Sequence, residues 1–247
     1  MNLVSLAEQN NLPDFQFLDR DTLYWIMSNK PQFTISTYNK DFVEFSRNKV
    51  QKFTPLQTWF LKSEGIDSIH GIRHILRVIA NVAYLVKEKG IVDERIIMAV
   101  FMAASLHDLR RKDDKGDNGH ADRAVEWFLL NKKTISNHYK INTTDIDIDT
   151  VSTAILFHEQ RYEQIIDNPD YKKNKIVVDL LKSGDALDRY RLPKLKWWID
   201  DKYLLLLPSD KARYFAYTLV INNERNFLKT NKSEESVLIT LDEMQQT

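Results

Sequence analysis

The stretch that most limits this chain runs from Ile96 to Arg111. Ile96-Ile97-Met98-Ala99-Val100-Phe101-Met102 is apolar on every side, and a helix with no polar face belongs in the middle of a core. It continues through Ala103-Ala104-Ser105-Leu106 into His107 and Asp108, with Leu109, Arg110 and Arg111 directly behind. Buried ionisable groups are costly unless they are paired or bound to a metal. Any fold of this chain must therefore bring partners for His107 and Asp108 to the end of a central helix.

Those partners have to come from other helices. The chain has 247 residues but only six glycines and six prolines, and its long apolar-periodic segments predict an all-α fold. The length allows one large domain, or one domain with appendages. With no cysteine, disulfides and thiolate metal sites are excluded. The balance of 35 basic against 35 acidic residues gives no strong nucleic-acid signal and argues against a membrane-surface binder. No stretch approaches the ~20 apolar residues of a membrane span. Met1-Asn2-Leu3-Val4-Ser5 lacks the basic and apolar regions of a secretory signal, so a soluble cytoplasmic protein is expected.

Residues 1–62 read as an N-terminal helical extension. It has loops at Asn11-Leu12-Pro13 and Lys30-Pro31 and short amphipathic pieces at 21–27 and 42–45. Such a segment either packs on the rest of the chain or offers a partner surface. The next helix is expected at about 68–88, capped by Asp67-Ser68. Its apolar stripe is Ile72, Ile75, Leu76, Ile79, Val82, Ala83 and Val86. His70 and His74 share one face, with Arg77 a turn further on; such a pair is either two ordinary histidines or part of a shared ligand site. Asp93 can cap the apolar helix, expected at 94–108.

From Arg110 to His120 the charges and glycines predict a surface loop. A charge run is ordinarily just solvated, but directly after a suspected metal pair its arginines become candidates for binding phosphate, whose oxygens a guanidinium matches bidentately. His120 opens a helix with Ala124, Val125, Phe128 and Leu129 inward, and His138 is expected exposed in the polar loop that follows. Thr143-Thr144-Asp145 and Asp149 offer starts for the next helix. There Val151, Ala154, Ile155 and His158 share a face, so His158 is either a satisfied core histidine or a ligand. A helix at 175–189 turns Val177, Leu180, Leu181 and Gly184 inward, and Asp185 and Asp188 continue that face. The chain breaks at Pro193. Residues 193–247 read as C-terminal helices packing on the core, fraying from Lys229 onward.

His74, His107 with Asp108, and Asp185 thus arrive on separate helices, each at an apolar face or helix end. Imidazoles with carboxylates make a nitrogen/oxygen site suited to Mn, Fe, Co, Ni or Zn, and a cation there offsets the cost of burying the carboxylates. In their order along roughly residues 65–192, His74-Ile75-Leu76-Arg77-Val78, Ser105-Leu106-His107-Asp108 and Gly184-Asp185-Ala186-Leu187-Asp188 resemble the HD-domain metal-dependent phosphohydrolases.

The resemblance implies an HD-domain helical bundle at 63–192, between the N-terminal extension and the C-terminal helices. It implies a divalent transition metal held by His74, His107, Asp108 and Asp185, and hydrolysis of a phosphate ester or anhydride by a metal-activated water. The substrate class is a nucleotide or another small phosphorylated metabolite. His70, in His70-Gly71, is similar to a histidine that lines the substrate pocket in one subgroup. His120 and His158 stand where some members hold a second ion; here they are candidates for that ion or for substrate contact. Asp108, His70 and His120 are the catalytic candidates, and Arg110, Arg111, Asp188 and Arg189 the further substrate-binding ones. Two rival readings stay open: a mixed-valent di-iron oxygenase of HD type, and a non-catalytic nucleotide sensor signalling through residues 1–62. Homo-oligomerisation is also left open.

Overall fold

A computed structural model describes residues 2–246. It is all-α, with no strand among the described residues. In chain order the helices are α1 (Leu3–Glu8), α2 (Arg20–Ser28), α3 (Lys40–Phe53), α4 (Ile72–Glu88), α5 (Glu94–Leu106) and α6 (His120–Tyr139). Then follow α7 (Ile148–Phe157), α8 (Tyr162–Ile165), α9 (Pro169–Asp188), α10 (Asp210–Thr230) and α11 (Ser233–Gln246). Among these described residues no helix is long and apolar enough to cross a membrane.

The architecture is built around α4, which packs against α3, α5, α9, α10 and α11. Every residue from Ile72 to Val86 is buried. The apolar stripe faces α3, α5 and α9 as its periodicity predicts, but the polar side does not face water. Arg73 and Arg77 reach Glu224 on α10 in two buried ion pairs, at 3.2 and 2.6 Å, and the Asn81 amide donates to the Gly184 carbonyl at 3.1 Å. Charges so placed persist because each has a partner at hydrogen-bond distance. α4 crosses α9 at Gly184, where a Cβ would lie 2.4 Å from Val82 Cγ2. Only a residue without a side chain lets the two backbones come so close.

Several local expectations need correction. α4 starts at Ile72 rather than near 68, because its N-cap is Gly71. A Cβ on Gly71 would meet the Ile66 carbonyl oxygen at 2.1 Å, so the tight entry turn selects glycine over a capping side chain. Asp67 instead accepts from Ser233 Oγ at 2.5 Å, and Ser68 donates to Gly65 O and Asp114, both at 3.0 Å. α5 ends at Leu106, leaving His107 in its C-cap. α7 is capped by Asp147, not by Asp149. The helix expected from 175 is present, and α9 carries a further helical piece before it, from Pro169 to a kink at Asn174.

Two corrections are larger. His138 is not in an exposed loop: it lies in the last turn of α6, half-buried, with Nε2 2.9 Å from the Thr54 carbonyl and its ring against Trp59. The C-terminal stretch does not fray either. α11 buries Val237, Leu241 and Met244 against the bundle, and packs on α3, α4 and α10.

Candidate metal centre

The ends of four helices meet beside α4. α4 supplies His74 from its first turn, the turn after α5 supplies His107 and Asp108, and the start of α6 supplies His120. The C-cap of α7 is His158, and the last turn of α9 carries Asp185 and Asp188. His74 and His107 have no exposed surface, and Asp108, His120 and His158 are buried.

Each imidazole is oriented by what its Nδ1 meets. His107 Nδ1 lies 2.8 Å from the Ala104 carbonyl, His120 Nδ1 2.8 Å from that of Asp117, and His158 Nδ1 2.6 Å from that of Ile155. In all three the acceptor is the carbonyl three residues earlier, at a helix end or turn. His74 Nδ1 instead meets the Asp188 carboxylate at 2.8 Å. An Nδ1–H donated in this way leaves Nε2 as a bare lone pair, the arrangement found in histidines that ligate metals.

All four Nε2 atoms converge on Asp108. Its Oδ2 lies 3.4 Å from His74 Nε2, and its Oδ1 lies 3.1 and 3.7 Å from the Nε2 atoms of His120 and His158. His74, His107 and Asp108 form one group able to hold an ion, and Asp108, His120 and His158 form a second. Asp108 is common to both and turns one carboxylate oxygen to each side. Asp185 closes the first group from its solvent side, with Oδ1 3.5 Å from His74 Nε2. Glu159 flanks the second group from behind, with Oε2 3.3 Å from His120 Nδ1 rather than beside the converging Nε2 atoms.

The residues fit a cation. His74 and His107 bring their Nε2 atoms to 3.3 Å, and His120 and His158 to 3.1 Å. Two lone pairs at that distance repel unless positive charge lies between them. In the first pair burial pushes the His107 imidazole down to a pKa of about 3, which disfavours its imidazolium. At Asp108 burial disfavours the charge, but Arg111, His107 and His120 together outweigh it and hold the carboxyl well below its usual range. An imidazole-rich set with carboxylate oxygens selects a divalent transition ion over magnesium or calcium.

Around the first group lies a further shell. Asp188, fully buried, takes Arg77 Nε at 2.6 Å and Arg191 Nη1 at 3.3 Å in addition to His74. Arg77 in turn pairs with Glu224. Asp188 therefore serves His74 rather than reaching the open side of the site, where the sequence reading had put it among the substrate-binding candidates. The two adjacent arginines also part company. Arg111 turns inward, 3.4 Å from Asp108 and 3.3 Å from His120 Nε2. Arg110 turns away, donating to the Trp59 carbonyl at 2.9 Å and lying over the Trp127 ring.

The second ion group opens into a cavity of about 510 Å³, whose walls include His70, Asp108, Arg111, Asp185 and Arg189. His70 precedes α4 and contacts Asp114 at 3.0 Å. Lysines and arginines outnumber carboxylates around this cavity, which suits an anionic ligand. Lys182, which the sequence reading passed over, also lines it and donates to the carbonyls of Phe157, His158 and Gln160. It thereby fixes the end of α7 that carries His158. Arg191, Glu159 and Asp114 were missed as well. Arg191 had a signal, since it follows Asp188 by one helical turn, but Asp114 lay inside a run that looked merely solvated. No family model matches the chain, and neither a curated protein nor a solved structure matches it.

Proposed function

We propose that this protein is a metal-dependent phosphohydrolase with two divalent transition ions, acting on a phosphate ester or anhydride of a nucleotide or other small phosphorylated metabolite. The observation that carries the reading is the single buried carboxylate, Asp108, shared by two histidine pairs at the floor of a cationic cavity. His74, His107, Asp108 and Asp185 would hold one ion, and Asp108, His120 and His158 the other. Such ions supply Lewis acidity toward a phosphate oxygen and lower the pKa of a bound water toward neutrality.

The chain's own groups do the rest. Arg111 and Arg189 reach the cavity as guanidiniums that match phosphate oxygens in pairs. Arg111 sits beside Asp108 and is placed to neutralise charge that builds on a phosphate at the floor. His70, at the side of the cavity with Nδ1 3.0 Å from Asp114, is held neutral by burial and by Arg111 and Arg191, so its other nitrogen faces the cavity as a hydrogen-bond acceptor. The helical bundle and the sequence resemblance to HD-domain phosphohydrolases support the same reading.

A shared carboxylate between two ions also serves a mixed-valent di-iron oxygenase, so the test must separate the two chemistries. Protein loaded with Mn²⁺, and separately protein purified anaerobically with iron, is offered phosphorylated metabolites under nitrogen. Phosphate release by the Mn²⁺ form without oxygen is expected, and Asp108→Ala should abolish both metal binding and release. Turnover that requires iron and oxygen would rule out hydrolysis.

A further inference from the structure

A second cavity, of about 550 Å³, lies beside the first. The two share His70, Lys115, Arg189 and Leu192 as walls, so His70 stands in the wall common to both. The second is built by the segment following α1 and by Trp197. That segment is clasped to the site. Asp114 N–H donates to Asp14 O at 2.7 Å, Gln16 N–H to Asp114 Oδ2 at 2.7 Å, and Ile69 N–H to Gln16 O at 2.8 Å. The N-terminal residues thus form a wall of the functional region, not a detached appendage.

The lining has a distinct chemistry. Trp197 offers a half-buried ring, Leu12 and Leu192 offer aliphatic surface, and Asn10, Asn11 and Gln16 offer amides. Gln16 is 2% exposed, its Nε2 donates to the Asp114 carbonyl at 3.0 Å, and its Oε1 has no partner. A buried acceptor left without a donor carries a desolvation cost that a ligand N–H could relieve. Asn10 sits at φ +52°, in the left-handed region, which places it at a sharp turn beside the cavity. An acyl chain has no use for three amides. A flat heteroaromatic with donors and acceptors in its plane uses both the indole and the amides.

We propose that this second cavity is a nucleoside subsite. The base lies against Trp197 and is read by the Asn10, Asn11 and Gln16 amides, while the phosphate reaches past His70 to the ion pair. The inference rests on the hydrolase reading and narrows its substrate class to nucleotides. It also gives the arrangement a direction: the bond between phosphorus and the nucleoside oxygen would fall beside His70. When that bond breaks, the electron pair stays on the nucleoside oxygen, the water oxygen bonds to phosphorus, and one proton of that water ends on the nucleoside oxygen as its hydroxyl.

The test uses the full chain loaded with Mn²⁺, with nucleosides as probes because they carry the base and no phosphate. Adenosine, guanosine, cytidine and uridine are titrated by calorimetry, and at least one is expected to bind. Trp197→Ala should weaken that binding by about fivefold to a hundredfold, the range of base–aromatic stacking. Trp197→Phe should restore most of it. A folded protein that binds none of the four, or a Trp197→Ala variant with unchanged affinity, overturns the assignment. Phosphate release from 4-nitrophenyl phosphate is followed separately on the parent protein. Release without nucleoside binding removes the subsite and leaves the hydrolase reading standing. Nucleoside binding without phosphate release from any of the phosphate esters and anhydrides offered supports the subsite and removes the hydrolase reading.

Discussion

The two halves of the metal centre are built by different means. In the His74/His107 half both imidazoles are fully buried; His107 is held by a backbone carbonyl, but His74 is held by a carboxylate, Asp188, itself gripped by two arginines. The His120/His158 half stands at the cavity floor. Both of its imidazoles are held by backbone carbonyls at helix ends, and its flanking carboxylate, Glu159, is 32% exposed. A ligand braced by a charged and buried shell keeps its geometry with or without an ion. One braced by a loop and a helix end keeps it only as far as those elements stay put. The first half is therefore the more rigidly braced candidate site, and the second the more adjustable one, at the floor of the cavity.

The sharpest way to break this comparison is metal stoichiometry. His74→Ala should empty the inner position and disturb Asp108, so that little metal of either kind remains and activity is lost. His158→Ala should lower stoichiometry from two ions toward one, with the inner ion retained. Elemental analysis after dialysis distinguishes them, and equal losses in both variants would erase the distinction between the halves.

A second test acts on the brace alone. Asp188→Asn keeps the size of the side chain but removes its charge, and should weaken the inner ion by roughly tenfold to a hundredfold, the usual cost of losing a partner behind a ligand. Competition with a chelator reads this directly, and the outer ion should be affected less. Arg77→Met leaves Asp188 and Glu224 short of a partner, and denaturant unfolding should show a loss of about 3–5 kcal/mol. A variant as stable as the parent would mean that the buried cluster is no brace.

The smallest effect distinguishes the neighbouring arginines. Arg111→Lys keeps the charge but loses the fork and should lower kcat/KM by roughly tenfold, the lower end of a charge-assisted contact. Arg110→Lys should leave kcat/KM near that of the parent, with at most about 1 kcal/mol lost from its Trp59 contact. Steady-state kinetics on both, with unfolding curves alongside, would sink the assignment of Arg111 if the order came out reversed.

What could be read from the sequence follows from how local its cause was. His107 and Asp108 were legible because a helix without a polar face ended in two ionisable groups, and Asp185 and Asp188 because they prolonged an apolar stripe. The choice between Arg110 and Arg111 was not legible, since adjacent residues differ only in which neighbour each finds: Trp59 and Trp127 for one, Asp108 for the other. His138 looked solvated because its partners, Thr54 and Trp59, lie some eighty residues away. α11 looked frayed because its composition is largely polar, while the surfaces that bury Val237 and Leu241 belong to distant helices. The burial of Arg73 and Arg77 on α4 was not legible either, because their counter-charge, Glu224, comes from α10.

The crossing at Gly184 carries a last consequence. His74 comes from α4, while Asp185 and Asp188 come from α9, and the spacing between these two helices is set where Gly184 meets Val82. One hydrogen atom in place of a methyl group thus acts as the gauge for the inner socket. Even alanine there would push the helices apart and pull Asp188 from His74, although it would touch no ligand. Such a change would present at the bench as a defect in metal binding, and its cause would lie in a residue with no chemistry of its own.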